Sequence, residues 1–327
     1  FPTAAIHLTE KPVPFSALAS GPVKLKSTIT GKGFSGTRAE SQVALAPVEG
    51  ARPLTGTVNL LWDQNEKILE FRDAQVSTPD TSIAFKGTLN SRIQASASTS
   101  NLADIQAFFN EPLPLKLDGG HATFDGFLIG TFDDPRVSGR LNITNFVYDG
   151  RKFDRLSTSI DGNRNQLDAR NLTLDQGRLH LAGDTQLELN NWKLAPNAAI
   201  RTSLDMRDVP IEQLLELAET KAPVSGVAHI TGDVEIRGKQ ISGTARIAAD
   251  RVKAWDESLE RVLAQVRFSP DKVEVLSGMA LVAGAEVPIT FNYDRKSGEA
   301  DWTIRTKGLP VQPLNAVKTN APQVTAL

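Results

Sequence analysis

Cysteine is absent from all 327 residues, which removes thiolate zinc sites, iron–sulfur clusters and cysteine nucleophiles from consideration. A chain without thiols is permitted in any compartment and is comfortable in an oxidising one. Aromatic residues are scarce at 6% and apolar residues stand at 40%, a little under the usual globular share. A core must therefore come mainly from Leu, Ile, Val and Ala, which suits a long thin sheet better than a thick globule. Neither sign of charge predominates: 36 Lys and Arg oppose 38 Asp and Glu. They are interspersed, leaving no electrostatic footprint for nucleic acid and no polybasic membrane-surface cluster. No apolar run approaches the roughly 20 residues of a membrane span, and no signal-peptide pattern is present. The chain opens on Phe1 without Met and reads as a segment of a longer protein. Neither absence bears on an anchor elsewhere in that parent.

What is present is repetition. Ala122, Phe124, Gly126 and Leu128 alternate with Thr123, Asp125 and Phe127. Ala228, Ile230, Gly232 and Val234 repeat the order between His229, Thr231 and Asp233, and Val23, Leu25, Ser27 and Ile29 do so between Lys24, Lys26 and Thr28. Such period-two alternation marks strands with one buried and one wet face. Each is followed by an apolar-Ser-Gly element, at Phe34-Ser35-Gly36, Val137-Ser138-Gly139 and Ile241-Ser242-Gly243. Three ordered copies roughly 100 residues apart make the chain a repeat array.

A second landmark separates the copies. Val13-Pro14-Phe15, Val209-Pro210-Ile211 and Leu309-Pro310-Val311 resemble one another, and Asn101-Leu102-Ala103-Asp104 holds the matching place in the middle. Proline followed by good helix formers starts helices. Short helices are expected near 102–109 and 210–219, with a weaker one near 14–19, while Pro313 leaves the last copy at most a turn. The expected organisation is one continuous β-repeat array over 1–327, with repeats near 13–100, 101–208 and 209–308 and a partial fourth at 309–327. Residues 254–265 have helical propensity. Their counterpart, Tyr148 through Ser159, contains Gly150 and reads as two strands, so strand is expected there too. Gly, Asn, Asp and Pro punctuate strands of about 6–10 residues, the pattern of antiparallel sheet.

No catalytic signal emerges. His7, His121, His180 and His229 are scattered, and no two have metal-pair spacing. Asp161-Gly162-Asn163-Arg164-Asn165 mimics the start of a calcium loop, but Gln166 stands where the glycine belongs and Leu172 where the glutamate belongs, so a turn is expected. Asp133-Asp134 precedes Pro135 and reads as a turn, as do Gly119-Gly120 and Gly31-Lys32-Gly33. Asn142-Ile143-Thr144 and Asn171-Leu172-Thr173 match the glycosylation acceptor pattern, which matters only in a secretory pathway. Phosphate-binding and nucleophile-elbow motifs are missing. The reading is of a non-enzyme without cofactors or metals.

The candidate site is instead an apolar stripe: Val23, Leu25, Ile29, Ile83, Phe85, Phe124, Leu128, Leu141, Ile143, Leu179, Leu181, Leu187, Leu189, Ile230, Val234, Ile236, Val287, Ile289 and Phe291. Two arrangements answer to it. The stripe packs against itself or a second sheet in a closed core, or the sheet curls into an open trough whose apolar lining awaits a ligand.

The run Gly126-Phe127-Leu128-Ile129-Gly130…Asp134-Pro135-Arg136-Val137-Ser138-Gly139-Arg140-Leu141 resembles the AsmA/TamB superfamily of bacterial envelope proteins, the TamB type above all. The likeness continues through Phe153-Asp154-Arg155-Leu156, Leu179-His180-Leu181-Ala182-Gly183 and the Val209-Pro210-Ile211…Leu214-Leu215 spacer, and spans nearly the whole chain. The resemblance implies an all-β fold: an elongated antiparallel sheet curled into a U-shaped, taco-like hydrophobic groove, with short helical turns between repeats. It further implies a periplasmic segment of an inner-membrane-anchored protein. Such a segment shields phospholipid acyl chains between the inner and outer membranes and supports outer-membrane biogenesis. An outer-membrane barrel protein would be a partner through parts outside this segment. The competing expectation is a structural β-repeat spacer with a closed core that binds envelope proteins.

Overall fold

The computed structural model describes residues 15–30, 33–106, 115–131, 134–195, 197–217, 223–254, 257–306 and 308. They form two compact units, Phe1–Leu167 and Asp168–Leu327. The fold is all-β and its strands pair antiparallel almost throughout, as the sequence predicts.

The first unit holds β1 (Phe15–Ser20), β2 (Val23–Thr30), β3 (Gly33–Pro47), β4 (Arg52–Pro53), β5 (Thr55–Asp63), β6 (Ile68–Ser77), β7 (Thr81–Thr88) and β8 (Arg92–Thr99). Then come α1 (Ala103–Gln106), β9 (Leu115–Leu117), β10 (Ala122–Gly130), β11 (Pro135–Tyr148) and β12 (Arg151–Asn163). The antiparallel order is β2-β3-β5-β6-β7-β8-β10-β11-β12. β1 extends β2's place along β3 and meets β4 in a short parallel pairing, and β9 extends β10's place along β11.

The second unit holds most of β13 (Gln166–Gln176), then β14 (Leu179–Glu188), β15 (Ala199–Pro210), α2 (Ile211–Leu217), β16 (Val224–Arg237) and β17 (Gln240–Ala254). β18 (Glu257–Phe268), β19 (Lys272–Val282), β20 (Ala285–Asp294) and β21 (Ala300–Ile304) complete it. From β14 to β21 each strand pairs antiparallel with the next in sequence.

Because directly paired residues point to one face, the register sorts every side chain. In the first unit Ile83, Ala97, Phe124, Leu141 and Thr158 form one cross-strand row. In the second, Met206, Ile230, Ile247, Ala264 and Ile289 lie on one face. The opposite face carries Ser96, Asp125, Arg140 and Ser159 in the first unit and Ser203, Asp233, Thr244 and Arg267 in the second. Apolar exceptions there are few, and one, Phe127, lies beneath the guanidinium of Arg92 at 3.8 Å from its ring centre.

The alternation survives bulges that would otherwise turn the pattern inside out. Asn145, Asp208 and Arg251 adopt φ of 45°, 51° and 53°. Asp208 and Arg251 each take up an extra residue against β16, while β11 and β12 keep register across Asn145. In all three places the next residue, Val209, Val252 or Phe146, is buried three positions after Met206, Ala249 or Ile143. Asn and Asp tolerate this left-handed backbone through local hydrogen bonding.

Helices form where expected, at 103–106 and 211–217, and 257–265 is strand. The weaker helix expected near 14–19 is instead β1, whose backbone pairs with both β3 and β4; ladder hydrogen bonds outweigh its modest helical propensity. Asp161 and Gly162 lie in β12 and the turn comes at Arg164-Asn165, where the Asn163 side chain accepts from the Asn165 and Gln166 amides. Gly119-Gly120 lies in a bend, as expected. Gly31, Lys32, Asp133, His7 and the partial fourth repeat at 309–327 lie outside the described residues.

Candidate ligand face

The residues expected to line a groove divide by exposure. Ile143, Leu179 and Val287 are buried. Ile83, Phe85, Phe124, Leu141, Leu181, Leu187, Leu189, Ile230, Val234, Ile236, Ile289 and Phe291 are half-buried, and Leu128, Val23, Leu25 and Ile29 are exposed. Within each unit the strand members share the apolar face, Ile29 included: the extra residue opposite Lys26 and Thr28 lies in β3, between Ser35 and Arg38, and leaves the alternation of β2 intact. The exception is Leu189, which falls beyond β14 in the connection to β15.

Burial concentrates at one end of the strands, where the helices sit. In the second unit Ile211 and Leu214 of α2 pack with Ala228, Ala249 and Val252, and Ile230, Leu259 and Val262 join them. The same Leu259 and Val262 continue to Ala280, Val282 and Val287. In the first unit the corresponding end is tied down by a carboxylate. Asp104 of α1 is 2% exposed. It accepts from the hydroxyls of Thr78 and of Thr81, the latter at 2.8 Å, and pairs with the guanidinium of Arg52. Thr81 and Thr99 join hydroxyls at 2.8 Å, and Arg52 also pairs with Asp80 at 3.0 Å. These groups sit at the helix-bearing ends of β7 and β8, so α1 rests over the apolar face of its own unit.

Away from the helices the apolar face is a floor. Two of the three Ser-Gly elements share a job there. A Cβ on Gly139 would lie 2.7 Å from the ring of Phe124, and one on Gly243 would lie 2.9 Å from that of Phe268. The glycine leaves room for an aromatic ring on the floor, while its preceding serine, half-buried, lies on the opposite face. Gly36 differs. With φ of 60° it serves the bulged backbone of β3 and meets the Asn65 side chain.

Sequence reasoning missed Phe146, Val209, Ala249 and Val252, all buried on this face. The available signal was a spacing of three between apolar residues, interrupted by Asn145, Asp208 or Arg251. Of the described histidines, His180 pairs with Asp175 at 2.6 Å and His229 with Asp205 at 2.9 Å, both on exposed surface. Among the described residues no cluster of His, Asp and Glu could hold a metal ion, and no helix is long and apolar enough to cross a membrane. No protein-family model matches the chain, and neither does any curated protein.

Proposed function

We propose that the apolar face holds the acyl chains of phospholipid, their headgroups remaining in water, and that the chain is a segment of a periplasmic lipid conduit of AsmA/TamB type. The observation carrying this reading is one of burial. A face lined in register by Leu, Ile, Val and Phe is only half-buried at mid-strand, and the helices cover just one end of it. A closed two-sheet core buries such rows almost fully. Half-burial leaves a surface that gains by contact with hydrocarbon, about 0.8 kcal/mol for each methylene withdrawn from water. The floor repeats small variations of one lining, so it offers a chain little to lock onto and favours sliding over tight capture. No chemical step is required of the protein. On this reading the segment lies between an inner-membrane anchor and an outer-membrane barrel partner and supports outer-membrane biogenesis.

The test is lipid extraction and mass spectrometry on the chain, produced in a bacterial periplasm and purified without detergent. Stoichiometric phospholipid is expected, and it is lost from Phe124→Asp, Leu181→Asp and Ile230→Asp variants whose circular dichroism stays β-rich. A lipid-free wild type, or unfolding of all three variants, would establish the closed spacer instead, because a carboxylate buried without a partner costs several kcal/mol.

A further inference from the structure

The polar face of the second unit carries a feature that the groove reading does not use. A depression of about 470 Å³ is lined by His229, Arg246, Ala248, Leu263, Gln265 and Met279, among others. A second, of about 290 Å³, adjoins it and shares Thr231, Arg246 and Gln265. The register shows two neighbouring cross-strand rows. One runs Ala248–Leu263–Met279–Pro288 and is apolar on an otherwise polar face. The other runs Thr231–Arg246–Gln265–Ser277 and offers hydrogen-bonding groups.

Arg246 stands out within this surface. Arg201, Arg207, Arg237, Arg261 and Arg267 on the strands around it each have a carboxylate within ion-pairing distance. Among the described residues Arg246 has none, although it borders both depressions. A guanidinium presents a planar fork that matches a carboxylate in two parallel hydrogen bonds. Beside it Leu263 is 36% exposed, and the flexible thioether of Met279 adapts to irregular apolar shapes. The volume falls within the range of small-molecule sites.

We propose that this depression binds a small amphipathic carboxylate, its anionic end on Arg246 and its apolar body across Leu263 and Met279. Asp233, diagonal to Arg246 in the register, and Asp205, bonded to His229, lie on the same face. They favour a monoanion over a dianionic phosphate ester. The site does not depend on lipid carriage by the opposite face.

The chain supplies its own reporters. It has two methionines: Met206, paired with Leu181 and Ile230 on the apolar face, and Met279 on the polar face. With ¹³C-methyl methionine, titration with 2-naphthoate is expected to shift Met279 saturably, with half-saturation below about 1 mM, and to leave Met206 unmoved. Arg246→Gln raises the half-saturation at least tenfold, whereas Arg261→Gln, whose arginine already pairs with Asp250, leaves it unchanged. The neutral analogue 2-naphthalenemethanol binds at least tenfold more weakly. A Met279 signal that stays still, moves equally with the neutral analogue, or responds unchanged in Arg246→Gln overturns the proposal. A response at Met206 alone places the probe on the apolar face and also overturns it. Failure of the lipid reading is seen separately, as an absence of bound phospholipid.

Discussion

The two helices occupy matching positions against the sheet and are held there by opposite chemistry. α2 rests Ile211 and Leu214 on Ala228, Ala249 and Val252. α1, only four residues long, is held by the buried Asp104 carboxylate between Thr78, Thr81 and Arg52. What the repeat keeps is a cover over the strand ends, and either anchor supplies it. The anchors differ in how they fail. Apolar packing gives way in proportion to the atoms removed, whereas a buried carboxylate with its donors fails as a unit once one partner is gone.

The largest effect is therefore expected at Asp104. Asp104→Ala leaves two threonine hydroxyls and Arg52 without their buried acceptor and destabilises the first unit by about 3 kcal/mol. This is the lower end of the usual range, because Arg52 retains Asp80. Amide exchange at the helix-bearing ends of β7 and β8, read beside a denaturant melt, measures it. A change under about 1 kcal/mol would falsify the polar anchor.

Leu214→Ala removes a half-buried side chain from the apolar anchor and costs about 1–2 kcal/mol, less than a fully buried leucine. Exchange protection should fall across β16 and β17 and hold in β21, which lies away from the cluster. Loss spread evenly over the unit would show that α2 stabilises the whole sheet and does not merely cover its ends.

Asp104→Leu combined with Arg52→Met converts the first anchor into the second kind. Replacing a buried ion pair with apolar groups is often close to neutral, but the Thr78 and Thr81 hydroxyls still lose their acceptor. The double variant should therefore recover only part of the Asp104→Ala loss and cost less than the sum of the two single changes. Additive losses in the cycle would mean that the two residues act separately.

The sequence already carries much of this contrast. Alternation identified the apolar face of β10, β16 and β20, and proline or good helix formers located both helices. The anchors were illegible for a physical reason. Asp104 reads as an ordinary acidic residue in a first helical turn, and its burial comes from Thr78, Thr81 and Arg52, which lie at least 23 positions away. Phe146, Val209 and Val252 were hidden because a left-handed residue shifts the period without changing composition. The row Ala248–Leu263–Met279 spans three strands and exists only once their register is set. β1 was misread because local propensity is weaker than pairing with β3 and β4.

The smallest effect calibrates the first. Asp294 is a half-buried carboxylate at the opposite, turn-bearing end of β20, where it accepts from the amides of Lys296 and Ser297 at 2.8 and 3.1 Å. The Ser297 and then the Lys296 amide hold its carboxyl below the ordinary value of 3.8. A carboxyl depressed in the folded state contributes stability that is complete above its unfolded pKa and fades as pH falls through the folded one. The turn is therefore expected to tighten as pH rises to about 4 and to be indifferent above it, with Asp294→Asn flattening the response. The Gly298 amide, which closes the same turn onto the Asp294 carbonyl at 2.9 Å, reports it by chemical shift. If Asp294→Asn destabilises as much as Asp104→Ala, burial is not what makes the α1 anchor strong, and the contrast between the two helices loses its physical basis.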